Sequence, residues 1–229
     1  MGLFSALVLA FSFNHVAQSK YALVDIFISL FLSIAFYFST VMLMNKKNFL
    51  RAYVLGGVFS ALAFAVKYNF PVFVPILAAH SLSVWRQVGE KKWFFFLNWW
   101  RKEIILLPFV SLVLFAIVNP YLLINPTNYF WQLKTILTSS WNFPYGAKDL
   151  DNIPNIVWYF NYMAKVGFYY PFFVFVLGGI AVALIRYRLQ AILLLSYPVV
   201  QLILLEIYTP RTDRYPVWWL PMLTIFAGL

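Results

Sequence analysis

Cysteine is absent from the 229 residues. That excludes disulfides and thiolate metal sites, and it leaves the redox compartment open. Histidine is nearly absent too: there are 2, His15 and His80, too far apart to form a pair with zinc-ligand spacing. Charge is scarce, with Asp, Glu, Lys and Arg making up 10% of the chain and acids numbering 7. No Gly-rich phosphate loop follows a strand pattern, and no internal repeat, low-complexity tract or flexible linker interrupts the chain. Together these absences remove the usual constellations of soluble enzymes.

What is present is apolar. Hydrophobic residues make up 63% of the chain, aromatics 21%, and the mean hydropathy is +0.80, all outside the range of a soluble domain. Uncharged runs recur at Ile26 to Asn45, Ala52 to Val66, Tyr68 to Trp85, Ile104 to Leu133, Val166 to Ile185 and Leu189 to Leu205. A helix needs roughly 20 residues to cross the hydrocarbon, and helices satisfy their own backbone where no water can. The expectation is an all-α, polytopic helical membrane protein folded as a single transmembrane domain over 1–229. Gly2 to Phe13 reads as an apolar half-span without the basic start of a signal peptide, and Pro216 to Leu229 stops inside an apolar run. The expectation is therefore a fragment, truncated at both ends and inactive alone.

Threading these runs separates the charges. Lys46, Lys47, Arg51, Arg86, Lys91, Lys92, Arg101, Lys102, Arg186 and Arg188, ten of the 17 basic residues, fall in short loops on one side, which the positive-inside rule makes cytoplasmic. Asp25, Asp149, Asp151, Glu206 and Asp213 fall on the other. The net charge of +10 then needs no nucleic acid as partner, because a basic face against anionic membrane lipids accounts for it.

Gly57, Ala61 and Ala65 recur at helical spacing and form a small-residue ridge for close helix packing. Pro71 disfavours helix at Phe70, so the chain should turn at the outer surface beside Lys67 and return as a short Pro-containing helix to Trp85. The stretch at about 119–165 is the expected extracytoplasmic loop. Within it Asn128 to Leu137 has the pattern of an interfacial helix, either an aromatic belt that anchors the loop or a roof over a lateral opening.

Ionisable groups gathered at one membrane face carry the candidate chemistry: His15, Lys20, Asp25, Lys67, Glu206, Arg211, Asp213 and Arg214. His80 belongs to the opposite end of its span and reads as a packed residue. Asp25 opens an apolar run, so helix capping and a site role both account for it. Glu206 lies inside its span, where burial would disfavour its charge unless a cation such as Arg211 were near. A carboxylate to organise the acceptor and cations to stabilise a departing phosphate are what transfer from a phosphate leaving group needs.

Five phrases then carry a resemblance. His15-Val-Ala-Gln-Ser-Lys-Tyr-Ala-Leu-Val-Asp25 is similar to the Ser/His-x-Tyr-Ala-x-x-Asp segment of GT-C glycosyltransferases related to protein O-mannosyltransferases and aminoarabinose transferases. Leu55 to Tyr68 resembles that family's Gly-Leu-Ala-x-x-x-Lys-Tyr helix. Asn119-Pro-Tyr121, Trp158-Tyr-Phe160 before Gly167, and Arg211-Thr-Asp-Arg214-Tyr215-Pro216 followed by Leu220-Pro221 continue in the family's order.

The resemblance implies a GT-C-type transmembrane core and a hexosyltransferase-type glycosyltransferase. It would move a sugar from a polyprenyl-phosphate donor, by an inverting transfer, to a protein, lipid or glycan acceptor on the extracytoplasmic face of the plasma (inner) membrane. Asp25 is the catalytic candidate, an acidic site residue; His15, Lys20, Lys67, Tyr68, Glu206, Arg211 and Arg214 are the substrate-binding set; no cofactor is called for, and metal dependence is left open. The first outer loop, where the family keeps its principal catalytic acid, would precede Met1. A multi-span transporter or lipid flippase, and a noncatalytic family member, stand as alternatives; a transporter should show broken helices in two related halves, which this chain lacks.

Overall fold

The computed structural model describes residues 2–20, 24–44, 49–67, 69–88, 102–142, 153–207 and 215–228. Among the described residues there is no strand. The helices are α1 (Gly2–Phe11), α2 (Phe13–Lys20), α3 (Val24–Met44), α4 (Phe49–Lys67), α5 (Val74–Val88), α6 (Lys102–Val118), α7 (Tyr121–Ile124), α8 (Pro126–Asn142), α9 (Asn155–Tyr162), α10 (Tyr169–Arg186), α11 (Arg188–Ile207) and α12 (Leu220–Ala227). α3, α4, α10 and α11 are long and apolar enough to cross a membrane, and α1 and α6 are shorter apolar helices. The chain is an all-α polytopic membrane protein.

Its exterior is as greasy as its interior. Leu30, Ile105, Phe109, Leu112, Val174, Phe175 and Ile203 all point outward, as hydrocarbon in place of water allows. The interior is built on large apolar and aromatic side chains such as Trp219, Tyr53, Phe168 and Leu32, and hydroxyl residues lie among them. Ser39, Thr40, Ser81 and Ser111 each donate to the carbonyl one turn back, at 2.7 to 2.9 Å, so their hydroxyls stay satisfied inside an apolar bundle.

The expected ridge on α4 is a packing surface. A Cβ at Gly57 would stand 2.8 Å from Leu107 Cδ1, and Ala61 and Ala65 are buried along the same stripe. Gly56 gives α5 the same approach, with Ile76 Cδ1 2.7 Å from a would-be Cβ. The closest contact is elsewhere: a Cβ at Gly179 of α10 would lie 1.7 Å from the backbone oxygen of Phe226 in α12.

Two buried clusters fill the bundle. One joins Met42 and Leu43 at the end of α3 with Ala52 and Tyr53 at the start of α4, Ala79 of α5 and Leu193 of α11. Arg86 Nη1 donates to Leu43 O at 3.0 Å there, and Leu189 packs beside Leu193. The basic residues Arg51, Arg86, Arg186 and Arg188 thus share one end. The other cluster runs along the bundle, from Ala183 and Ala191 near the Arg186 and Arg188 end to Val8, Ile28, Leu205, Val217 and Trp218 where α3 begins and α11 finishes.

The boundaries differ from the sequence reading in one region. The apolar run from Ile104 does not continue to Leu133; α6 stops at Val118, Asn119 and Pro120 break it, and the chain resumes through α7 and α8. Proline lacks the N–H that would continue the ladder. The interfacial pattern over Asn128 to Leu137 lies wholly within α8, where Phe130 and Trp131 are exposed and Tyr129 is buried against Phe115. His80 is buried and packed against Phe49 and Tyr53.

Candidate functional site

The site begins with where α3 starts. Asp25 sits in the first helical turn, where the positive end of the helix dipole favours a carboxylate. Its side chain is 1% exposed and serves tertiary partners. Lys67 Nζ, from the last turn of α4, donates to Asp25 Oδ1 at 2.9 Å. Trp218 Nε1–H donates to the same oxygen at 2.8 Å from the 3₁₀ turn Tyr215–Trp218. Lys67 Nζ also stands 5.0 Å from the centroid of the Trp218 ring, a cation–π arrangement. Residues 42 and 193 positions from Asp25 thus converge on one carboxylate oxygen. The second oxygen, Oδ2, is buried and has no hydrogen-bond partner among the described residues.

Burial makes this arrangement consequential. A carboxylate withdrawn from water is tolerable only with a cation and hydrogen bonds to hold it, and both are present. Lys67 is 34% exposed, so its ammonium lies between the buried acid and the surface.

The corner after Lys67 is shaped by Pro71. Asn69 is extended, its carbonyl accepts Val72 N–H at 3.2 Å, and its Nδ2 donates to the buried Tyr197 hydroxyl at 3.3 Å. Lys67 therefore reaches α3 while Asn69 reaches α11. The corner and short helix expected from Pro71 are present as the 3₁₀ turn Phe70–Phe73 and α5.

α2 lies across the same end, in contact with α3 and the Trp218 turn. Ser12, just before it, donates to Gly167 O at 2.6 Å, which joins it to the π-helical turn Met163–Gly167. His15 is half-buried on α2, and burial holds its imidazole below the ordinary value of 6.5.

Glu206 departs from expectation: it is exposed. It stands at the end of α11, where the chain leaves the bundle, and accepts the backbone N–H of Ile156 at 2.7 Å. Asn155 Nδ2 donates to Leu205 O at 2.8 Å beside it. Glu206 thereby satisfies an otherwise unpaired amide at the start of α9.

The structure therefore brings Asp25 and Lys67 into direct contact and places His15 and Glu206 at the same end. Tyr68, Arg211, Arg214, Asp149, Asp151, Asp213 and the basic loop residues Lys46, Lys47, Lys91, Lys92 and Arg101 lie outside the described residues, as do the side chains of Lys20 and Lys102. Trp218 was not singled out from sequence. Its signal was weak: an indole next to the Arg-Thr-Asp-Arg phrase looks like a membrane-interface anchor until its N–H partner is known. Among the described residues no group of three or more His, Asp or Glu side chains converges to hold a metal ion.

The dolichyl-phosphate-mannose-protein mannosyltransferase family model matches residues 1–123. No curated protein and no solved structure matches the chain. The matched residues contain His15, Asp25, Lys67 and the phrase Asn119-Pro-Tyr121, and exclude Trp218 and the Arg211 phrase. The match covers more than half of the 229 residues, and the chain belongs to this family.

Proposed function

We propose that this member of the dolichyl-phosphate-mannose-protein mannosyltransferase family acts as an inverting GT-C enzyme. It takes a sugar from a polyprenyl-phosphate donor and delivers it to a protein, lipid or glycan acceptor on the extracytoplasmic face of the plasma (inner) membrane. Family membership makes it a glycosyltransferase of the mannosyltransferase type. The observation that carries the finer reading is the Asp25–Lys67 pair, a buried acid and a half-buried cation at the end of the bundle away from the basic loops.

Inverting transfer is one displacement. The acceptor oxygen bonds to the anomeric carbon, the phosphate leaves with the electrons of the old bond, and the acceptor proton passes to a base. A cation fixed near the leaving oxygen stabilises the charge that develops on the phosphate. Lys67 suits that role because Asp25 and the Trp218 ring restrain its ammonium on the inner side while part of it remains exposed. Arg211 and Arg214 are its proposed companions, since Arg offers phosphate a planar fork of donors. Asp25 organises the site from behind, its Oδ2 buried with unused acceptor capacity. His15, Lys20 and Tyr68 complete the substrate face, and Glu206 shapes it through the start of α9. The stretch at about 119–165 is the proposed extracytoplasmic loop, within one transmembrane domain spanning 1–229.

The test is transfer by membranes containing the intact protein, supplied with radiolabelled mannosyl-polyprenyl phosphate and hydroxyl-bearing peptide, lipid and glycan acceptors. Asp25→Asn and Lys67→Ala should each lower the rate about tenfold or more in protein that remains folded. Unchanged rates would return the pair to a structural role. Failure of the parent to use any polyprenyl-phosphate sugar would leave a noncatalytic family member.

A further inference from the structure

At the opposite end of the bundle, α3 and α4 do not close completely. A groove of about 250 Å³ remains between Tyr37, Phe38 and Val41 on α3 and Arg51, Ala52 and Leu55 on α4. Its cause is local. Ala52 contributes only a methyl group, Phe38 leans inward to stack on Phe59 at 5.9 Å, and Tyr37 turns out to 64% exposure. The groove is smaller than typical soluble-ligand pockets, and it lies between two helices long and apolar enough to cross a membrane.

Arg51 stands at its rim, exposed, with no hydrogen-bond or ion-pair partner among the described residues. Its neighbour Arg86 is engaged with Leu43 O. The described carboxylate side chains, Asp25 and Glu206, are at the other end. A guanidinium at the hydrocarbon boundary is stabilised by an anion that its donor fork can grip. From Tyr37 to the end of α3 at Met44 is a descent of about 10 Å, at 1.5 Å per residue. The charged rim and apolar wall therefore match the two parts of a lipid in the order in which a leaflet presents them.

We propose that this groove binds one anionic phospholipid, its phosphate on Arg51 and an acyl chain along Phe38, Val41 and Leu55. The anionic class follows from charge: Arg51 attracts the phosphate, and no described carboxylate lines the groove to pair with the ammonium that a zwitterionic headgroup would bring. Basic recesses between membrane helices are suited to such headgroups. The inference stands whichever leaflet faces the basic end.

The test is native mass spectrometry of the purified full chain with graded dioleoylphosphatidylglycerol or dioleoylphosphatidylcholine. The wild type should hold one phosphatidylglycerol more tightly than any phosphatidylcholine. Arg51→Ala should weaken that site about tenfold, and Arg51→Lys should retain part of it. Leu55→Trp, which fills the groove without changing charge, should give a comparable loss, and it decides the matter if Arg51→Ala fails to fold. Arg188→Ala, at the same end but outside the groove, should leave the site intact.

Equal retention of the two lipids, indifference to both Arg51→Ala and Leu55→Trp, or an equal loss in Arg188→Ala would each overturn the assignment. So would displacement of the lipid by glycerol phosphate alone, since the acyl chain would then contribute nothing.

Discussion

Lys67 Nζ and Asp25 Oδ1, 2.9 Å apart, tie the last turn of α4 to the first turn of α3 across the end of their hairpin. Removing one partner of such a pair exposes the other's burial cost. Lys67→Met should destabilise the protein by about 2 to 3 kcal/mol, below the full range for buried pairs because Lys67 is 34% exposed. Asp25→Asn should cost less, since an amide oxygen still accepts from Trp218. Thermal melting of the double variant Asp25→Asn/Lys67→Met should recover much of the loss, while sugar transfer stays depressed. Recovery of both would mean that the pair serves folding alone. Trp218→Phe, which removes one charge-assisted bond at 2.8 Å, should cost about 1.5 to 3 kcal/mol by the same measurement.

Three helical glycines, two at helix contacts and one exposed, form a graded series. Gly179→Ala forces a methyl group to within 1.7 Å of a backbone oxygen, which only movement of α12 can relieve. It should destabilise by about 1 to 3 kcal/mol or more. Gly57→Ala meets the movable end of Leu107 at 2.8 Å and should cost less. Gly178→Ala, with nothing within 4 Å, should be nearly silent. Melting temperatures in one detergent should rank in that order; a silent Gly179→Ala would refute the close approach of α10 and α12.

Sidedness is checked by labelling single cysteines introduced into a chain that has none. Arg51→Cys, Arg86→Cys and Arg186→Cys should react with an impermeant maleimide only after the cytoplasmic face is opened. Glu206→Cys should react from outside in intact cells. Labelling of position 51 from outside would reverse the orientation.

His15 gives the stability a pH dependence. Burial lowers its folded-state affinity for protons, so just below 6.5 the unfolded chain binds more protons than the folded one. Stability therefore falls as pH drops through 6.5 and levels off below the depressed folded value. His15→Gln should flatten that part of a melting-temperature profile between pH 7 and pH 5. An unchanged slope would assign the dependence to other groups.

Hydrophobic runs, basic-loop asymmetry and the small-residue ridge were all legible in the sequence because each depends on local spacing. A run of apolar residues must become a helix in lipid, and glycine at helical intervals leaves a groove whatever packs into it. The proline corner after Lys67 was legible for the same reason. The candidate acid and cation could be named as types at one end, since alternation of spans fixes which ends coincide. Their pairing could not, because it depends on how α3 and α4 rotate about their axes, and that is set by packing with α5 and α6. Trp218 was beyond reach of any local pattern: it meets Asp25 only after every intervening helix has packed. Glu206 shows the limit in the other direction. Its place in an apolar run suggested burial, and only the tertiary arrangement, in which α11 ends beside α9, turned it outward to cap Ile156.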